Sequence, residues 1–189
     1  MAAGVGWRAS VIVMLAFLVP LLLASVAPAA AATPDSLIPE IEQRLAAQGA
    51  DKVNAYLAGD WVSAMLPLNR RAAGCELRAV KLAVRLSRSA NARAAQAHVD
   101  SLREAIGTCM VYVLTLATRE EIPRYCSSVA SWSVMQTVRE LRRRIAAIEA
   151  DDLLSASAIG KSCRAAYIYE LENTRVVVKS ASRPLRQAP

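Results

Sequence analysis

The sequence lacks the short motifs that identify most hydrolases, nucleotide-binding proteins and metalloproteins. It has no HExxH, no GxSxG, no Gly-rich phosphate loop and no calcium loop. Its one histidine, His98, has no Ser, Cys or carboxylate pair at a recognisable spacing, which is typical of a surface or core-edge residue. The sequence therefore predicts no catalytic residue, no metal and no cofactor. An enzyme whose site is assembled from scattered residues stays an alternative.

Charged residues are almost absent from the N-terminal segment. Arg8 is the only one before residues 11–23, an apolar run shorter than the roughly 20 residues that span a bilayer. Small residues follow, and Ala27-Pro28-Ala29 and Ala30-Ala31-Ala32 are both suitable cleavage sites. We predict that residues 1–32 are a signal peptide, cut near Ala29 or Ala32. The mature protein is then periplasmic or secreted, with no stable membrane insertion, and the alternative is an uncleaved anchor.

The four cysteines form no CxxC pair and have the wrong spacing for a zinc site. Four is an even number, and in an oxidising compartment it predicts two disulfides. If straight helices run up and down at about 1.5 Å per residue, two pairs lie at matching levels. These pairs are Cys75–Cys163 and Cys109–Cys126. Of the three possible connectivities, this is the one we expect.

Apolar residues recur at helical spacing, and no alternating pattern is long enough for a sheet. We predict an all-α fold, a four-helix up-and-down bundle preceded by short helices. The apolar faces of the main helices run over residues 68–86, 95–116, 134–148 and 156–171, with the last helix ending near Asn173 and caps at Asp60, Thr118 and Asp151. Residues 33–175 form this disulfide-linked domain, and residues 176–189 are a flexible tail.

Lysine and phenylalanine are scarce, whereas arginine is abundant. The chain has four lysines among its 23 basic residues, and its net charge is +7. In an exported protein such a basic surface favours anionic envelope polymers, lipid head groups or an acidic protein over nucleic acid. The residues that we predict to bind a partner are Trp61, Arg70, Arg71, Trp132, Arg139, Arg142 and Arg143. Leu141 and Ile145 are expected to point inward, so the cluster Arg139, Arg142, Arg143 and Arg144 should occupy the outer face of its helix. The alternatives are a solvated helix face for these arginines and a core position for each tryptophan.

The predicted signal peptide, size, helical fold and paired cysteines resemble the small helical periplasmic immunity proteins that protect bacteria from peptidoglycan-cleaving toxins. The resemblance implies a non-enzymatic protein that caps the active-site cleft of a toxin. Segments 61–71 and 124–132 are the candidates for that contact, and a homodimer is a further possibility. The alternative function is a structural or chaperone-like envelope factor that binds anionic polymer or unfolded chains through arginines.

Overall fold

The computed structural model describes residues 36–128 and 133–181, with side chains as far as residue 174. These two stretches contain helices and no β-strand, which confirms the predicted all-α class. The predicted signal peptide and Trp132 lie outside the described residues. The helices are α1 (Leu37–Gln48), α2 (Ala50–Gly59), α3 (Leu66–Ala73), α4 (Leu77–Leu86), α5 (Ala92–Leu116), α6 (Ile122–Tyr125), α7 (Val134–Ala150), α8 (Asp152–Ala156) and α9 (Ala158–Ala181).

A π-helical turn, Trp61–Met65, joins α2 to α3. Asp60 caps it as predicted, because its Oδ1 accepts a hydrogen bond from the Ser63 amide at 3.3 Å. Pro67 follows in the first turn of α3, where the absence of an amide N–H costs no helical hydrogen bond. The predicted Asp151 cap is also present, at 2.9 Å from the Leu154 amide.

Residues 68–86, which we predicted to be one helix, belong to two. The break lies at Gly74–Cys75–Glu76, where Cys75 has a φ of 65°. A left-handed residue just past a helix closes the last turn, and the Glu76 amide accordingly donates to the Arg71 carbonyl at 2.9 Å. This position usually favours glycine, and the preceding Gly74 is the sequence signal for the break.

Helix α5 is kinked in its second half. Its N-terminus is capped by Asn91, whose Oδ1 accepts from the Ala94 amide at 3.2 Å. Cys109 then departs from helical geometry, with φ −136° and ψ 52°. The two halves of α5 therefore run in different directions on either side of this residue.

The predicted disulfide connectivity is wrong. Cys75 bonds to Cys109, with Cα atoms 6.1 Å apart, and Cys126 bonds to Cys163, at 5.2 Å. Our prediction assumed straight helices and paired cysteines that lie at the same height along them. The break at Cys75 and the kink at Cys109 change the heights of these two residues. Helix α9 packs against the short helix α6, which brings Cys163 to Cys126.

The C-terminal part of the fold is a pair of long helices, α7 and α9, packed on each other. Ser133 and Gln136 form a capping box at the start of α7. Helix α9 continues to Ala181, beyond its predicted end near Asn173. None of the described helices is long and apolar enough to span a membrane.

The core is aliphatic, as the scarcity of phenylalanine predicts, with Tyr125 and Tyr167 fully buried in it. Two polar residues are buried against expectation. His98 has 0% exposure rather than a core-edge position, and Arg144 has 1% exposure rather than a place on the outer face of α7. Both need polar partners, because an unpaired buried polar group costs several kcal/mol.

Candidate functional site: an apolar groove beside the α5 kink

A groove of about 650 Å³ lies between the second half of α5, α7 and the start of α8. This volume is within the range of roughly 300–1,000 Å³ that is usual for ligand sites. Its walls are largely apolar, and they include Ile106, Met110, Val111, Ala147 and Leu154. The α5 kink at Cys109 lies in the wall, so the change in helix direction shapes the groove.

Large apolar side chains are exposed around this groove. Val111, which lines it, is 46% exposed, and Leu153, next to the lining residue Leu154, is 82% exposed. Tyr112 also lines it, and its hydroxyl donates to the Leu77 carbonyl at 3.2 Å, which places the half-exposed Leu77 nearby. Clustered exposed apolar residues mark interaction sites more reliably than scattered ones.

Arg143 links the α7 wall to the α5 wall. Its Nη2 donates to the Gly107 carbonyl at 3.1 Å, and its Nε donates to Glu140 Oε2 at 2.7 Å. The hydrogen bond from Arg143 lowers the pKa of Glu140, and the same contact raises the pKa of Arg143. Gly107 makes this approach possible, because a Cβ there would lie only 3.3 Å from Arg143 Nη2.

Arg144 also lines the groove, and Glu140 and Tyr167 are among the residues that contact its buried guanidinium. Its Nε donates to Glu140 Oε1 at 2.9 Å, its Nη1 donates to the Tyr167 hydroxyl at 3.3 Å, and its guanidinium carbon lies 5.7 Å from the Tyr167 ring centroid. Burial is the largest cause that raises the pKa of Tyr167. Arg144 shares a helix face with the buried Leu141 and Ile148. The positions i, i+3 and i+7 of these three residues indicate that Arg144 faces the core.

Arg139, Arg142 and Arg143 are exposed on the outer face of α7, as predicted. No ion pair is described for Arg139 or Arg142 among the residues that the structure covers. Arg139 lies one turn before Arg143 and is therefore its neighbour on the surface of α7, just beyond the end of the groove wall. Arg142 is rotated by about 100° from Arg143, toward the exposed Glu149.

The other predicted partner-binding residues that the structure describes do not line the groove. Trp61 is half-buried, with the Arg93 guanidinium carbon 5.7 Å from its ring centroid. Arg71 pairs with Glu76 at 3.0 Å, and Arg70 is exposed at the end of α3. Of the predicted partner-binding residues, the structure thus places Arg143 in the groove wall and does not place Trp61, Arg70 or Arg71 there.

Only the beginning of the predicted docking segment 124–132 is described. The amide of Ser128 donates to Glu170 Oε2 at 2.6 Å, which attaches this segment to α9. A second cavity of about 450 Å³ adjoins it, with Ser127, Pro123 and the exposed Tyr169 in its wall. Trp132 lies outside the described residues, so its predicted role stays a prediction.

His98 forms a buried polar cluster away from the groove. Its Nε2 lies 3.0 Å from Asn54 Oδ1, and its Nδ1 lies 2.7 Å from Asn69 Oδ1. Burial lowers its pKa from 6.5 to about 4. The cluster joins α2, α3 and α5 and contains no carboxylate or nucleophile beyond Ser101, whose hydroxyl donates to the His98 carbonyl. Within residues 36–128 and 133–181, no group of three His, Cys, Asp or Glu side chains is placed to hold a metal ion.

Comparison of the chain with protein-family models, with curated proteins and with solved structures finds no match.

Proposed function

We propose that this chain is an exported, non-enzymatic protein-binding domain of the cell envelope, and that the groove beside the α5 kink is its docking surface. The observation that carries the proposal is the combination of apolar groove walls with exposed arginines along one edge. Apolar anchors supply most of the binding energy of a protein interface, while arginine adds directional hydrogen bonds to carboxylates. Both kinds of group lie within a few residues of one another on α7.

The cellular role that we propose is that of an immunity protein, which blocks a cell-wall-degrading toxin or hydrolase. This role rests on the predicted signal peptide, the all-α fold and the two disulfides, which suit a small protein in the periplasm. We also propose that the main helices form a four-helix up-and-down bundle and that the protein forms a homodimer. The contact region that we now favour is the groove and Arg139, rather than Trp61 and Arg70.

A second candidate function is an envelope factor that binds anionic polymer or unfolded chains. Arg139 and Arg142, both exposed and without a described ion pair, favour it. The two functions differ in their response to salt. At about 1 M salt the Debye length is about 3 Å, so a contact made by arginines alone weakens steeply, whereas apolar anchoring persists.

The test is affinity capture with the mature chain, residues 33–189, from envelope extracts of its own and neighbouring strains. We expect one stoichiometric protein that is retained in about 1 M salt. Ala147→Trp fills the groove and should abolish capture. Ala146→Trp is the matched control, because Ala146 is also exposed on α7 and does not line the groove. Recovery of polymer alone, or of no protein, would overturn the proposal.

A further inference from the structure

The dimensions of the groove match two turns of an α-helix. One wall runs from Ile106 to Thr115 on α5, across the kink at Cys109, and the other runs from Arg143 to Asp151, the residue that follows α7. The α7 wall is straight and covers eight residue steps, or about 12 Å at 1.5 Å per residue. Apolar anchors at positions i, i+4 and i+7 of a docked helix span about 10.5 Å, so all three fit between the ends of the walls.

The chemistry of the walls favours a helix over an extended peptide. An extended segment needs partners for its own N–H and C=O groups, which a sheet edge supplies. The described stretches contain no strand, and the Gly107 carbonyl in the groove wall already accepts from Arg143. A helix satisfies its own backbone and can bury apolar side chains here without leaving polar groups unpaired.

Charge is unequally distributed between the two ends of the groove. Arg143 lies at one end, and its side chain is 56% exposed. Glu140 and Gly107 engage its Nε and Nη2, so the two donors of Nη1 remain for a further acceptor. Arg139 lies one turn away along α7, whereas Asp152, the first residue of α8, is exposed at the opposite end. A carboxylate of the partner therefore complements the positive charge at the arginine end of the groove.

From these observations we infer that the groove binds an amphipathic helix of the partner protein. Apolar side chains at i, i+4 and i+7 enter the groove, and a carboxylate in the last turn of that helix binds Arg143 Nη1 and Arg139. The negative end of the helix dipole then faces the arginines, and its positive end faces Asp152. This inference rests on the proposed function, since it names the kind of segment by which the partner docks.

The test places a photo-cross-linking amino acid at position 147 in one variant and at position 146 in another. The cross-linked partner peptide is identified by mass spectrometry, synthesised, and measured by circular dichroism and fluorescence anisotropy. We expect cross-links from position 147 only, and a peptide that becomes helical when it binds. Arg139→Glu should weaken its binding at least about tenfold, because reversing one charge contact costs at least about 1.4 kcal/mol. Lys52→Glu, an exposed charge reversal on α2, which contributes no residue to the groove walls, should change it less than about twofold.

The outcomes separate this inference from the proposed function. If protein is captured but cross-links only from position 146, through a non-helical segment, or equally well with Arg139→Glu, the inference is wrong and protein binding stands. An acyl amphiphile found in the groove by native mass spectrometry, in place of a peptide, also overturns it. If no protein is captured at all, both proposals fail.

Discussion

The buried histidine makes the stability of this fold depend on pH, and His98→Gln isolates that dependence. Asn54 Nδ2 donates to the Leu86 carbonyl at 2.9 Å, so Asn54 presents its oxygen to His98 and Nε2 carries the proton. In neutral imidazole Nδ1 is an acceptor, and we expect the Asn69 amide to turn its nitrogen toward it. If Asn54 and Asn69 both presented an oxygen, each ring nitrogen of His98 would have to carry a proton, as in a charged imidazolium. The complete burial of His98 disfavours that charge.

The magnitude of the effect follows from the pKa of His98, which burial lowers from 6.5 to about 4. Each pKa unit corresponds to about 1.36 kcal/mol, so the full effect is about 3 kcal/mol. Between these two pH values the unfolded chain binds the proton and the folded chain does not. The free energy of unfolding is therefore highest above pH 6.5 and falls as the pH decreases toward 4.

Denaturant unfolding of the disulfide-intact protein, from pH 7.5 to 4.5, measures this free energy. His98→Gln should be less stable at pH 7.5 by about 1–3 kcal/mol, since it loses buried hydrogen bonds, and the difference should shrink or reverse by pH 4.5. The carboxylates are common to both proteins, so the difference reports on His98 alone. The chain has no other histidine, and one ring-proton NMR signal gives its pKa directly. Parallel pH profiles, or a pKa at or above 6.5, would refute the reasoning.

Three further predictions concern stability. Glu140→Gln should cost about 3–5 kcal/mol of unfolding free energy in denaturant titrations, because it leaves Arg144 buried without its carboxylate. Loss of either disulfide by paired Cys→Ser substitution should cost about 4 kcal/mol, given sequence separations of 34 and 37, and non-reducing peptide mapping should recover the pairing described above. Gly160→Ala should lower the melting temperature, since its Cβ would lie 2.0 Å from a carbonyl oxygen of α8, whereas Gly59→Ala, with nothing within 4 Å, should not.

The all-α fold was predictable because helical periodicity and capping residues are local signals. The disulfide connectivity was not, because it depends on two backbone departures. Cys75 is left-handed and Cys109 is non-helical, and each shifts the level of its own side chain. Gly74 and Gly107 precede these cysteines and carry the only local indication, since glycine weakens a helix by roughly 1 kcal/mol. Periodicity alone, without attention to glycine, yields straight helices and the wrong partners.

The candidate site was predictable only in part. Sequence pattern placed Arg139, Arg142 and Arg143 on an exposed face, which α7 confirms. It placed Arg144 there too, because a charged residue is seldom buried without a partner. The carboxylate partner of Arg144 is Glu140, one turn away on α7, whereas the second contact, the Tyr167 hydroxyl, comes from α9 and is distant in sequence. The groove has no sequence signature either, since it arises from the α5 kink and from the packing of α7 and α8 beside it.

The groove walls are held together by different kinds of bond. Of the three longest helices, α5 and α9 each carry a disulfide and α7 carries none. Helix α7 is instead attached to α5 through Arg143 and the Gly107 carbonyl, and to α9 through Arg144 and Tyr167. Glu140 binds both Arg143 and Arg144, so it helps to fix the position of α7, the groove wall that a partner contacts. Substitutions at these three residues therefore change stability and recognition together, whereas Arg139 and Ala147 test recognition alone.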